Sequence, residues 1–94
     1  MSSVVERLTR DLVHNRLGDI MRLVVETNAG ASARMELRVQ PATLSLEIGR
    51  GRRRLELHAF IVGPDHDTLN ELCELIDDAA TFMGTTPAAL GIQL

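Results

Sequence analysis

The stretch that decides the fold runs from Arg34 to Ile61. It reads Arg34-Met35-Glu36-Leu37-Arg38-Val39, then Thr43-Leu44-Ser45-Leu46-Glu47-Ile48, then Arg54-Leu55-Glu56-Leu57-His58-Ala59-Phe60-Ile61. In each segment every second side chain is apolar, the period of a strand with one face in a core and the other in water. Pro41 separates the first two segments, and Gly49-Arg50-Gly51 supplies the positive-φ residues that a tight hairpin needs before the third. These are antiparallel strands of a meander. Near its end Phe60 and Val62 fall on the water-facing side, so that end of the wet face is partly apolar.

C-terminal to the meander, Gly63-Pro64 ends the sheet, and Asp65 or Asp67 caps a helix running to about Met83, where Gly84 stops it. Leu69, Leu72, Cys73, Ile76, Ala79, Ala80 and Met83 follow helical spacing and form one stripe to lay on the sheet. Leu75 and Phe82, seven residues apart, lie beside that stripe and widen the apolar surface beyond what one packing face needs. The tail from Thr85 to Gly91 reads as one more capped turn, with Pro87 at its first position.

N-terminal to the meander, Ser3-Val4-Val5-Glu6 has the Ser-x-x-Glu spacing of a capping box, which opens a helix. Val5, Leu8, Leu12 and Val13 give that helix an apolar stripe, and Gly18 is its natural stop. Residues 20–27 fit two readings. Leu17, Ile20, Met21 and Val24 continue helical spacing to Val25, but Leu23-Val24-Val25 is rich in β-branched residues and Asn28-Ala29-Gly30 follows as a turn, which favours a strand from Ile20 to Thr27. The expected architecture is a single α+β domain over residues 1–94. It has a three- or four-stranded antiparallel meander, an N-terminal helix and a C-terminal amphipathic helix.

Composition narrows the function. A chain of 94 residues buries only about 60 to 65% of its unfolded surface around one core. All ten basic residues are arginine, so Schiff-base lysine chemistry and the phosphate loop ending in Gly-Lys-Ser/Thr are excluded. There is no Trp or Tyr, and with only Phe60 and Phe82 as rings a stacking platform for single-stranded nucleic acid is not expected. Cys73 stands alone and makes no internal disulfide, in keeping with a reducing compartment. No apolar run is long enough for a membrane span, and the first residues carry charges where a leader would be apolar. The expectation is a cytoplasmic protein with no membrane contact.

Charge is unevenly distributed. Residues 1–54 hold ten arginines against six acids, a balance of +4, and residues 55–94 hold seven acids and no base, a balance of −7. The two halves either face each other, within the fold or across a dimer, or form separate docking surfaces. Arg50, Arg52, Arg53 and Arg54 concentrate positive charge at one hairpin. They are candidates for electrostatic docking: to carboxylates, including those of the acidic helix, or in the alternative reading to the phosphates of a nucleic acid.

His58, His66, Asp65 and Asp67 are the one group of candidate metal ligands. The two acids are explained as cap and dipole partners, and no pair has a familiar zinc spacing. Cys73 falls inside an apolar stripe, where its thiolate is disfavoured. No Gly-x-Ser-x-Gly stretch appears, so neither enzyme activity, metal nor cofactor is expected.

The order of helix, antiparallel strands from Met35 to Val62 and acidic amphipathic helix from Asp67 to Met83 resembles that of the small secretion chaperones of bacterial type III systems. The likeness is one of layout over residues 4–83, without a shared motif, and the extra central helix and strands of that family are missing. It implies a homodimer that holds a protein client on sheet and helix surfaces, and it assigns no residues. The function expected is therefore noncovalent protein binding, as a small dimeric chaperone, adaptor or inhibitor. Phe60, Val62, Leu75 and Phe82 are the candidate partner-binding residues; the alternative is a small regulator touching nucleic acid through Arg50 to Arg54.

Overall fold

A computed structural model describes residues 4–30, 32–39, 42–61 and 66–93. Its elements are helix α1 (Val4–Gly30), strands β1 (Ser32–Val39), β2 (Ala42–Arg50) and β3 (Arg53–Phe60), helix α2 (His66–Phe82) and a short 3-10 turn, Ala88–Leu90. The strands form one antiparallel sheet in the order β1-β2-β3. This is the expected α+β layout with three strands.

Alternation sets the two faces of the sheet. The register puts Met35 opposite Leu46 and Leu46 opposite Leu57 on one face, and Glu36 opposite Ser45 and Ser45 opposite His58 on the other. Leu44, Leu46 and Ile48 of the central strand are fully buried under the helices, because β2 alone has a strand on each side of it. The β2–β3 connection is two residues, Gly51-Arg52, between the paired Arg50 and Arg53. Gly51 has φ 63°, the left-handed value that a type II′ hairpin requires at its first central position. Gly49 does not share that conformation; it lies within β2, facing Ser32.

Residues 20–27 are helical, which corrects the preferred strand. Gly18 keeps a right-handed φ and does not stop α1. The reason is packing: Thr9, Val13, Ile20, Leu23 and Thr27 are buried at separations of four, seven, three and four, a helical period that runs past Gly18. Leu23-Val24-Val25 has strand propensity, but burying Ile20 and Leu23 against the core outweighs a preference worth a few tenths of a kcal/mol per residue. The same period rotates the N-terminal stripe away from the core. Leu8 and Leu12, expected to pack inward, are exposed together with Val4, while Thr9 and Val13 take the buried positions. The capping Ser3 lies outside the described residues.

Helix α2 ends as expected. Gly84, at φ 76°, allows the Thr85 N–H to reach Ala80 O and the Gly84 N–H to reach Thr81 O, the paired bonds of a Schellman cap. Leu72, Leu75, Ile76, Ala79 and Ala80 are buried and Thr68 with them, an arc of roughly 140° at 100° per residue. An arc that wide serves two neighbours, since α2 packs on both α1 and β3. The helices run parallel, and the Thr27 hydroxyl near the end of α1 donates to Met83 Sδ just past α2. Ile92, in the tail, completes the core. No described helix is long and apolar enough to cross a membrane.

Candidate functional site

The structure separates the candidate residues. Leu75 is 3% exposed and belongs to the core cluster with Leu72, Ile76 and Ala79, which corrects its assignment to a partner surface. A single sheet-facing stripe left no place for Leu75, whereas the two-sided packing of α2 does. Phe82 is half-buried against the same core. Phe60 is 52% exposed at the far end of β3 from the hairpin, seven residues or roughly 23 Å from Arg53. Phe60 and Phe82 therefore do not share a surface. Val62 lies outside the described residues.

Phe82 meets the arginine hairpin instead. The Arg53 guanidinium stands over the Phe82 ring at 5.0 Å from its centroid, and Arg50 Nη1 donates to the Phe82 carbonyl at 3.4 Å. Helix α2 has no basic residue in its last turn, and the hairpin supplies the cation that its C-terminal dipole favours. Arg54 pairs with Glu47 at 3.3 Å. Arg52 alone of the four has no side-chain ion pair, hydrogen bond or ring contact among the described residues. A turn that reads as a docking finger in sequence is largely a clamp between the sheet and the end of α2.

Among the described residues the two charged halves of the chain form no ion pair with each other. The ion pairs among the described residues are Arg16 with Asp19, Arg34 and Arg38 with Glu36, Arg54 with Glu47, and His58 with Glu56. None joins an arginine to α2. Asp67, Glu74, Asp77 and Asp78 stay exposed, and Glu71 accepts the Phe60 N–H at the edge of β3.

The open face of the sheet is a shallow polar hollow of about 720 Å³, bounded by Arg34, Arg38, Glu47, Glu56 and Phe60. Across it Ser45 Oγ lies 3.0 Å from His58 Nδ1, and His58 Nε2 lies 3.3 Å from Glu56 Oε1. A serine, imidazole and carboxylate in line invite comparison with a nucleophilic triad. His58 and Glu56 are however half or more exposed, so water competes for each contact of the line. The line is a solvent-exposed network on the open face of the sheet. Among the described residues no group of three or more His, Cys, Asp or Glu is placed to hold a metal ion, and Cys73 is half-buried at the margin of the α2 packing face.

The apolar surface is elsewhere. Between α1 and β1 lies a groove of about 710 Å³ whose apolar lining is Leu17, Met21, Met35, Leu37 and Leu44, beside polar residues of α1 that include Asp19 and Arg22. Met21 is 57% and Leu37 62% exposed although Leu37 points to the helix-covered side of the sheet. A second apolar line, Val4, Leu8 and Leu12, runs along the first turns of α1. Sequence reasoning missed both, because it took Leu8 and Leu12 as core and counted every inward strand residue as covered. No family model, curated protein or solved structure matches the chain.

Proposed function

We propose that this protein is a noncovalent protein-binding domain that acts as a homodimer, in the manner of a small chaperone, adaptor or inhibitor. The observation that carries the reading is the groove between α1 and β1, with Met21, Met35 and Leu37 exposed beside a strand that, among the described residues, pairs with another strand on one side only. A domain this small gains little from leaving large side chains in water, and contiguous exposed apolar surface on small domains marks interfaces. A dimer that covers the groove leaves the line Val4, Leu8, Leu12 and the acidic face of α2 for a client. The engagement of Arg50, Arg53 and Arg54 within the chain favours this over phosphate recognition at the hairpin.

Equilibrium sedimentation at micromolar concentration tests the reading. The expected species has twice the 10.3 kDa mass of the chain, and the double variant Met21→Ser, Leu37→Ser shifts it to monomer while circular dichroism stays native. A wild type that is monomeric at every concentration refutes the homodimer, and a double variant that dimerises like wild type refutes the surface.

A further inference from the structure

We infer that the outer surface of the two helices docks a basic, amphipathic helical segment of a client protein, with its apolar side chains on Val4, Leu8 and Leu12 of α1 and its cations on the acidic face of α2. The inference rests on the protein-binding reading and names the chemistry of the client.

The apolar half of the surface is a line on α1. Val4, Leu8 and Leu12 recur at every fourth residue, which stacks them along one side of the helix, and they are 65%, 56% and 42% exposed. Arg22 lies about five turns beyond Val4 and so on the same side. Its Nη1 donates to the Gly91 carbonyl at 3.2 Å, and Gly91 and Ile92 share a hollow with Asp77 of α2. This side of α1 therefore adjoins α2. Toward the ends of the helices the C-terminal tail lies over their junction, whereas at their start Leu8 and Leu12 are open to solvent. Met21 is roughly 180° from Leu12 around the helix, at about 100° per residue, and borders the groove beside β1 instead. A dimer that covers the groove leaves the line free.

Charge selects the partner. On the outer face of α2, Asp67, Asn70, Glu74, Asp77, Asp78 and Thr81 are exposed at helical spacing, opposite the buried Leu72, Ile76 and Ala79. The helix contains no lysine or arginine, and none of these acids forms an ion pair among the described residues. Asp11, exposed beside the apolar line, adds to the same negative field. Because the helices run parallel with Thr27 beside Met83, counting back residue for residue puts Leu12 level with Thr68 and Arg22 level with Asp78. From Val4 to Asp78 the surface thus follows about 27 Å of helix, the length of about 18 residues. Apolar contacts lie at one end and acids at the other. A partner helix with large apolar residues along one half and arginines or lysines along the other complements both ends at once. An acidic segment is repelled, and a basic segment without apolar residues leaves Val4, Leu8 and Leu12 in water.

The test uses a fluorescently labelled synthetic helix of about 18 residues, built on alanine with leucines four apart along one half and arginines along the other. One control peptide carries Glu for every Arg and a second carries Ser for every Leu. Fluorescence anisotropy with the full chain is expected to show binding of the first peptide at least about tenfold tighter than of either control. Two variants alter only exposed side chains, and circular dichroism checks that each is folded. Leu8→Ser with Leu12→Ser is expected to raise the dissociation constant at least about tenfold. Glu74→Gln with Asp77→Asn and Asp78→Asn does the same at low salt and removes most of the salt dependence. Binding no tighter than that of the Glu control, or unchanged in either variant, overturns the inference and leaves the homodimer through Met21 and Leu37 intact. Equal binding of the Ser control reduces the contact to charge attraction and overturns docking on the apolar line. If Leu8→Ser with Leu12→Ser turns a dimeric wild type into a monomer, the occupant is a second copy and the client is overturned. A monomeric wild type that binds the peptide, and loses it in both variants, refutes the homodimer and supports this surface.

Discussion

Replacing Leu75 with Ala separates a core role from an interface role. The side chain is 3% exposed within the cluster that includes Leu72, Ile76 and Ala79, so truncation removes a buried isobutyl group and leaves a cavity, at a cost of about 2–5 kcal/mol. A cost of about 3 kcal/mol, inside that range, is a large share of the roughly 5–14 kcal/mol expected for a domain of this length. It corresponds to a fall in melting temperature of roughly 12–24 °C, at about 4–8 °C per kcal/mol for a small domain. With a urea slope near 1.5 kcal/mol/M the midpoint drops by about 2 M. The assay is urea unfolding at one fixed protein concentration, since dimer dissociation also moves apparent stability, with sedimentation on the same samples. A variant that loses under about 1 kcal/mol and becomes a folded monomer refutes the core assignment and returns Leu75 to a partner surface.

Two further outcomes follow from the same packing. Gly18→Ala should stabilise the chain by about 0.5–1 kcal/mol, because Gly18 lies within a helix and an added Cβ meets nothing within 4 Å; a thermal melt showing destabilisation would argue against a continuous α1. Replacing Arg50, Arg52, Arg53 and Arg54 with Gln should cost no more than about 2 kcal/mol, from the lost helix-end charge and the Arg53–Phe82 contact. The same variant should match wild type in a salt titration against duplex DNA, and a wild-type affinity in the micromolar range at physiological salt that the Gln variant lacks would reverse that conclusion.

Much of the fold is local, and local features are legible in a sequence. The alternation from Arg34 to Phe60 reports the strands directly, because a strand's two faces meet different solvents. Gly51 and Gly84 mark turn and cap because few other residues tolerate φ near 63° and 76°, and α2 shows its helical period over its whole length. Residues 20–27 are different. Leu23, Val24 and Val25 satisfy either period, and what selects the helix is the burial of Ile20, Leu23 and Thr27 against elements far along the chain. The width of the buried face of α2, and so the place of Leu75, depends on having α1 as a second neighbour, which no pattern within α2 records. Likewise four clustered arginines read as a free charge until the hairpin is folded back on Phe82. The groove beside β1 is the furthest from the sequence of all: it exists because two helices cover three strands unevenly, a property of the assembled layers and not of any residue in them.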